Sequence, residues 1–198
     1  MRFLILILTS FTLPSFAADY YVSISGNDAA GEGTKAKPWR TIGKAVQDCL
    51  PAAGDPARIR IGLGTYKETI TLRAYVELYG GYETGGWTRN LSFYKTTITP
   101  ADPNTLAPII AAATGCRVDG LNLKGGDTGV LCEDCSPAIV QCAIEGAQTC
   151  GIQATGAEAS PLIEGNTING GKEGIFLYNA GSPLISFNTI FSNTGNAI

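Results

Sequence analysis

The hydrophobic positions in the second half of the chain recur at a nearly fixed interval. A segment of the form Ser-Pro-apolar-Ile occurs three times, at residues 136–139, 160–163 and 182–185. A glycine followed by an apolar residue precedes each copy, at Gly129, Gly151 and Gly174, in steps of 22 and 23 residues. Fixed-period similarity of this kind indicates a repeat architecture, in which each unit packs mainly against its neighbours.

Each repeat contains three short stretches that predict β-strands. Their apolar positions are Val130, Ile152 and Ile175 in the first strand, Ile139, Ile163 and Ile185 in the second, and Ile144, Ile168 and Ile190 in the third. A unit this short has no room for a helix and cannot bury its own apolar face, so copies must stack as neighbouring strands. The sequence therefore predicts an all-β parallel solenoid with regular rungs over residues 109–198. A leucine-rich repeat is not supported, because its Leu-x-x-Leu-x-Leu pattern is absent.

An asparagine column accompanies the repeat at Asn166 and Asn188. We interpret it as a structural ladder, because asparagine tolerates the left-handed backbone of tight turns and stacked amides hydrogen-bond to one another. Leu121 and Cys142 hold the same place in the earlier copies, so the ladder is expected to begin at Asn166.

Residues 18–108 predict a cap and irregular first rungs. Thr41 fits a helix N-cap, and the positions after it form one apolar helical face made of Ile42, Ala45, Val46, Cys49 and Leu50. Such a helix can cover the open end of a solenoid. Strands are predicted near residues 20–24, 59–61, 69–72, 76–78 and 97–98, and a loop is predicted to open at residues 79–82.

Composition and the first residues bear on localisation and partners. The net charge is −3, and no Lys/Arg cluster is visible along the chain, which argues against nucleic acid as a partner. Arg2, the apolar stretch 3–16 and the small residues around Ala17 predict a signal peptide at residues 1–17. The mature chain is expected to have no membrane span and to be secreted, at the cell surface or in the periplasm.

The chain has six cysteines and no histidine. In an exported protein the cysteines permit disulfides, whose connectivity the sequence leaves open. A zinc site at Cys132-x-x-Cys135 lacks a second ligand pair with standard spacing. The absence of histidine excludes a Ser-His-Asp triad and a Cys-His pair within this chain.

Several N-terminal motifs resemble those of a known family. Tyr20-Tyr21-Val22-Ser23, Ser25-Gly26-Asn27-Asp28, Lys37-Pro38-Trp39 and Gly64-Thr65-Tyr66-Lys67-Glu68 are similar to the cap and first rungs of bacterial, secreted or surface pectin-lyase-like proteins. The resemblance implies a right-handed parallel β-helix. It also implies an acidic polysaccharide or a cell-surface glycan as partner. An enzyme of this kind would be a polysaccharide lyase or a glycoside hydrolase. Calcium is the only cofactor that the resemblance implies, and no cofactor is evident from the residues.

By position, the resemblance places a substrate face on residues 129–133, 151–155 and 174–178. Its candidate residues are Glu133, Gln153, Thr155, Phe176 and Tyr178, with Lys172 in a turn that leads into the face. Asp127, Glu133 and Asp134 are the best calcium candidates, although solvated turn carboxylates are the preferred interpretation, and the residues identify no metal site. No catalytic set is recognisable. Phe176 and Tyr178 suit either sugar stacking or plain surface packing.

The sequence and the resemblance leave two functions open. The first is an exported protein that binds or processes acidic polysaccharide, and the second is a non-catalytic, adhesin-like surface protein. Ala197-Ile198 falls in register as the start of another rung, with no capping segment after it. We therefore expect the chain to be the N-terminal part of a longer β-helix, and we expect further rungs or self-association at this end.

Overall fold

The structure, a computed structural model, describes residues 18–198. The predicted signal peptide at residues 1–17 therefore lies outside the described residues. The elements are β1 (Asp19–Val22), α1 (Ile42–Asp48), β2 (Ala57–Gly62), β3 (Gly64–Lys67), β4 (Ile70–Thr71), β5 (Val76–Tyr82), β6 (Thr96–Thr99), β7 (Ile110–Ala111), β8 (Arg117–Asp119), β9 (Asn122–Lys124), β10 (Thr128–Glu133), β11 (Ala138–Val140), β12 (Ala143–Glu145), β13 (Cys150–Thr155), β14 (Leu162–Glu164), β15 (Thr167–Asn169), β16 (Glu173–Tyr178), β17 (Leu184–Ser186) and β18 (Thr189–Phe191).

The strands form three parallel sheets that the chain visits in turn. The seven-stranded sheet has the order β1-β2-β5-β8-β11-β14-β17, the six-stranded sheet β3-β6-β9-β12-β15-β18, and the five-stranded sheet β4-β7-β10-β13-β16. Each complete rung, from β2–β4 to β14–β16, contributes one strand to each sheet, so every strand pairs with its equivalent one rung away. The predicted right-handed parallel β-helix with three strands per rung is confirmed.

The core consists of apolar columns, one per sheet. In the seven-stranded sheet, the column contains Ile59, Leu78, Val118, Ile139, Ile163 and Ile185. Ile144, Ile168 and Ile190 align in the six-stranded sheet, and Val130, Ile152 and Ile175 align in the five-stranded sheet, as the repeat predicts. Most of these side chains are fully buried. Burial of a side chain of this size stabilises the fold by roughly 2 kcal/mol.

A glycine column lies beside the core where each strand of the five-stranded sheet begins. A Cβ atom on Gly129 would overlap the carbonyl oxygen of Gly151 in the next rung and would lie 2.6 Å from Cγ2 of Ile144. Gly151 and Gly174 have equivalent close neighbours one rung further on. The repeated glycine is therefore required by the close stacking of successive rungs.

Helix α1 begins at the predicted residue. Thr41 has an extended backbone, and its hydroxyl accepts a hydrogen bond from Lys44 N at 3.2 Å. Both carboxylate oxygens of Glu68 accept from the backbone N–H groups of Ile42 and Gly43, at 3.0 and 2.8 Å. Within residues 18–198, no helix is long and apolar enough to cross a bilayer.

Two local predictions near the cap were wrong. Leu50 was assigned to the buried face of the helix, but α1 ends at Asp48 and the extended Cys49 turns Leu50 outward, where it is 80% exposed. The loop predicted to open at residues 79–82 is part of β5, because Tyr82 still pairs with Gly62 across a register shift. The aromatic residues of this segment therefore lie on a sheet rather than in a flexible connection.

Candidate functional site

The predicted substrate face is the outer surface of the five-stranded sheet. Strand register places Gln153 beside Phe176 in one outward column and puts Glu133, Thr155 and Tyr178 in the next. Phe176 is 39% exposed and Tyr178 is 61% exposed, so the two rings form an apolar patch on β16. Lys172 is exposed in the turn before β16. The structure thus brings these candidates onto one face, with the aromatic pair at one end.

The asparagine pair lies inside the turn between the seven- and six-stranded sheets. Asn166 accepts from Cys142 N at 2.9 Å and donates to Ile139 O at 2.9 Å and to Asn188 Oδ1 at 3.0 Å. The left-handed backbone that we expected at the asparagines lies one residue earlier, at Gly165 and at the residue before Asn188. The asparagines therefore serve the ladder through their amides rather than through their backbone conformation.

The calcium candidates do not converge. Asp127 precedes β10, whereas Glu133 is the last residue of this six-residue strand and Asp134 follows it, so Asp127 is at the opposite end from the other two carboxylates. Asp127 accepts hydrogen bonds from the hydroxyl groups of Thr128 and Thr149. No group of three or more acidic or cysteine side chains suited to a metal occurs within residues 18–198. These three residues do not fit a shared calcium site.

A second candidate surface lies on the outer face of the seven-stranded sheet, over the first rungs. Register aligns Asp19, Arg58, Glu77 and Arg117 in one column and Tyr21, Arg60, Tyr79 and Asp119 in the next. The connection of residues 83–95, between β5 and β6, folds back over them. The resulting cleft has a volume of about 220 Å³ and is lined by Arg58, Arg60, Tyr79, Tyr82 and Arg89. We call it the arginine–aromatic cleft.

Ion pairs hold the guanidinium groups around this cleft. Asp119 is almost completely buried and binds Arg89 through Oδ1 at 2.5 Å and Arg117 through Oδ2 at 2.7 Å. Arg60 pairs with Asp19 at 2.8 Å. Arg58 makes one longer contact with Glu77, at 3.4 Å, and its side chain is 45% exposed.

The cluster therefore carries excess positive charge. Four guanidinium groups (Arg58, Arg60, Arg89 and Arg117) face three carboxylates (Asp19, Glu77 and Asp119). Within the described part of the chain, the buried Nε of Arg60 has no hydrogen-bond partner. Arg58 is the guanidinium group with the most freedom to engage a ligand, because its pairing with Glu77 is long and its side chain is exposed.

Aromatic rings form the floor and one wall of the arginine–aromatic cleft. The guanidinium carbon of Arg60 lies 5.6 Å from the Tyr82 ring centre, and that of Arg89 lies 5.5 Å from the Tyr79 ring centre. Trp87 is buried and packs edge-on against Tyr21 at 4.7 Å. A cation over a ring face is attracted by the ring quadrupole, so these contacts help to hold the guanidinium groups in place. The cleft thus combines flat apolar surface with fixed cationic donors.

Comparisons with known proteins bear on the fold. Residues 109–198 match the family model described as "Right handed beta helix region". This half of the chain resembles a β-helix in sequence as well as in structure. No curated protein matches the chain. A solved structure titled "Rhamnogalacturonan lyase" aligns with 90% of this chain at 11% identity and a TM-score of 0.46. The alignment covers 62% of that lyase, so the chain spans less than two thirds of its length.

Burial keeps the phenols of Tyr21 and Tyr79 neutral at ordinary pH. Burial raises the pKa of Tyr79 to about 12, and the Tyr79 hydroxyl donates to Glu77 at 2.9 Å, which acts in the same direction. Burial also raises the pKa of Tyr21. Partial burial disfavours the charge on Arg60, but its hydrogen bond to Asp19 holds the Arg60 pKa above its ordinary value. Arg60 is thus cationic, and the phenols of Tyr21 and Tyr79 are neutral, across the physiological range.

The raised pKa of Tyr79 predicts a loss of stability at high pH. A tyrosine ionises near pH 10 in the unfolded chain and near 12 here, so its contribution is complete below pH 10 and disappears as the pH rises through 12. The free energy of unfolding, measured in urea, should fall more steeply between pH 10 and 12 for the native chain than for Tyr79→Phe. Equal slopes for the two proteins would contradict the assignment to Tyr79.

The arginine–aromatic cleft was not predicted from the sequence, because its arginines do not form a cluster along the chain. Strand register brings together arginines that are far apart in sequence. The available signal was an alternation: Arg58 and Arg60, Glu77 and Tyr79, and Arg117 and Asp119 each occupy outward positions two residues apart. Each pair brackets one buried core residue, so charged or aromatic residues on both sides marked the outer face.

Proposed function

We propose that this β-helix is an exported protein that binds an acidic polysaccharide, with the arginine–aromatic cleft as the binding site for a carboxylated sugar. The observation that carries the proposal is the cleft itself: guanidinium groups of Arg58, Arg60 and Arg89 around the rings of Tyr79 and Tyr82. The resemblance of the cap to pectin-lyase-like proteins supports the same class of ligand.

The chemistry of the cleft suits one sugar residue that carries a carboxylate. A guanidinium group offers parallel N–H donors that match the two oxygens of a carboxylate. The C–H face of a pyranose ring packs on an aromatic ring, and the tyrosine hydroxyl adds a polar contact. At about 220 Å³ the cleft is small for a ligand pocket, so it suits a single ring of the polymer rather than a long segment.

The aromatic patch on the five-stranded sheet is the second candidate surface. Phe176 and Tyr178 are exposed on one strand, and Gln153 and Thr155 lie beside them in the neighbouring strand. This surface carries flat rings, neutral polar groups and the Glu133 carboxylate in the same column as Tyr178, so it suits a neutral stretch of glycan better than a carboxylated one. In the alternative function, a non-catalytic surface protein, this patch is a contact surface for cell-wall glycan.

Arg58→Gln tests the proposal. The substitution removes the most exposed guanidinium group of the cleft, so affinity for oligogalacturonate should fall by about tenfold, the equivalent of one charge-assisted hydrogen bond. Isothermal titration calorimetry measures the change. The affinity of Arg58→Lys should lie between those of the native protein and Arg58→Gln, because lysine keeps the charge but loses the bidentate geometry. Methyl-esterified oligogalacturonate should bind the native protein more weakly than the free acid.

Matched controls distinguish the arginine–aromatic cleft from the five-stranded face as the binding site, and a separate assay tests for turnover of the polymer. Arg40→Gln removes an exposed arginine beside the cap and should leave affinity unchanged. If Phe176→Ala with Tyr178→Ala abolishes binding while Arg58→Gln does not, the five-stranded face is the site. Ultraviolet absorbance of the incubated polymer reports unsaturated ends, so a rising signal would show that the protein is a lyase rather than a binding protein alone. A chelator should have no effect, since the cleft holds its ligand through guanidinium groups.

A further inference from the structure

Three buried cysteines converge where β10 leads into β11. Cys132 points into the core from β10 and is completely buried. Cys135 follows Asp134, whose left-handed backbone (φ 45°) reverses the chain, and it is 5% exposed. Cys116 belongs to the same apolar cluster, and its thiol donates to the carbonyl oxygen of Arg73 at 3.1 Å. Thus Cys116 already has a partner, whereas Cys132 and Cys135 lie on either side of the turn at Asp134.

Cys132 and Cys135 lie three residues apart, on either side of the left-handed turn at Asp134, and both belong to the same buried cluster. Interaction between the two thiols lowers the pKa of Cys135, and the same interaction together with burial raises the pKa of Cys132. The thiolate is the attacking form in disulfide exchange, so the two sulfurs have different roles. Cys135 is therefore the sulfur suited to attack, and Cys132 is its more deeply buried partner.

The surface position of the pair also separates the two sulfurs. Cys135 lines a shallow cleft of about 310 Å³ together with Thr114, Asp134, Ser136 and Glu158. Cys132 lies behind it, in the column that continues to Ala154. A small molecule that enters this cleft reaches Cys135 first.

The other three cysteines are engaged elsewhere in the described chain. Cys142 donates to the carbonyl oxygens of Val118 and Val140 at the opposite corner of the rung. Cys150 contacts the hydroxyl group of Thr128 at the start of β13. Cys49 caps α1 and contacts Arg73. The structure therefore isolates one pair with a route to the surface.

We propose that Cys132 and Cys135 form a redox-active dithiol that small disulfides oxidise through the cleft at Cys135. The Cys135 thiolate attacks one sulfur of the small disulfide, a mixed disulfide forms and one thiolate leaves. The Cys132 thiol then loses its proton and attacks Cys135 Sγ, and the second small thiolate leaves. The protein loses two hydrogens, and the small disulfide is reduced to two thiols.

The test uses the whole folded protein and two small disulfides. After incubation with oxidised glutathione, the protein is denatured and alkylated, and its peptides are mapped by mass spectrometry. We expect two fewer alkylated thiols than in the untreated protein, with the new bond between Cys132 and Cys135. Alkylation of all six thiols, or a bond that includes Cys116, would overturn the proposal.

Single variants separate the two roles. Cys132→Ala should accumulate the mixed disulfide on Cys135, and Cys135→Ala should lose the reaction, whereas Cys116→Ala should still form the bond. Because Asp134 and Glu158 line the cleft, dicationic cystamine should react faster than anionic oxidised glutathione. The reverse order, or an adduct on Cys132 instead of Cys135, would place the reaction elsewhere. Circular dichroism of each variant checks that it is folded.

Discussion

Ile139→Ala should lower the free energy of unfolding by about 4 kcal/mol, near the upper end of the range for a fully buried isoleucine. Ile139 is completely buried in the middle of the seven-stranded sheet, between Val118 and Ile163. Rungs above and below are held by parallel strand pairing, so they cannot close the cavity that the missing atoms leave. Urea unfolding followed by circular dichroism measures the loss.

The control for this substitution is Leu184→Ala in the same sheet. Leu184 points outward and is 63% exposed, so its truncation should change the free energy of unfolding by less than about 0.5 kcal/mol. Similar losses for both variants would show that the two faces of the sheet are not distinguished by burial. A loss below about 1 kcal/mol for Ile139→Ala would argue that the column is loosely packed.

Asn166→Ala should lower the free energy of unfolding by about 3 kcal/mol, although it removes little apolar surface. The substitution removes the hydrogen bonds of the Asn166 amide to Cys142 N, Ile139 O and Asn188 Oδ1. Asn166 is 1% exposed, so water does not replace these partners without a change in the turn. The unpaired N–H of Cys142 carries most of the cost, because a buried donor without an acceptor keeps its full desolvation penalty.

Asn188→Ala provides a graded comparison within the same ladder. Asn188 is half-buried; its Oδ1 accepts from Asn166 and its amide donates to Ile163 O at 2.8 Å. Asn188→Ala should lower the free energy of unfolding by about half as much as Asn166→Ala, since water can reach the backbone and amide groups that lose their partner. Asn166→Asp is informative as well, because it keeps the acceptor for Cys142 but loses the donor to Ile139. Equal losses for Asn166→Ala and Asn188→Ala would contradict the role of burial.

The regular rungs were predictable because the same physical constraint repeats. Ile139, Ile163 and Ile185 recur in phase since each must fill the core above its predecessor, and the glycines recur because successive rungs stack closely. The first rungs give a weaker pattern. Long connections separate β5 from β6 and β6 from β7, so their strands do not follow the period of about 22 residues. The end of α1 was misjudged because periodicity alone does not show where a helix stops.

The arginine–aromatic cleft was not predictable from repeats, since it depends on register between strands that are unequally spaced. Arg58 pairs with Glu77, which in turn pairs with Arg117, at separations of 19 and 40 residues. Arg89 reaches Asp119 only because the connection after β5 folds back onto the sheet. The exposed candidates Phe176 and Tyr178 were found because they lie within the regular repeat, where alternation alone assigns them to the outer face.

The connection of residues 83–95 has a consequence for how such a protein diversifies. It supplies Arg89 and the packing of Trp87, while the core columns beneath it belong to the repeat. Exchange of this one segment should therefore change the lining of the cleft without changing the core columns that support it. If the cleft binds as proposed, scaffold and specificity are separable parts, and an insertion at the same corner of another rung is an equivalent position for a new site.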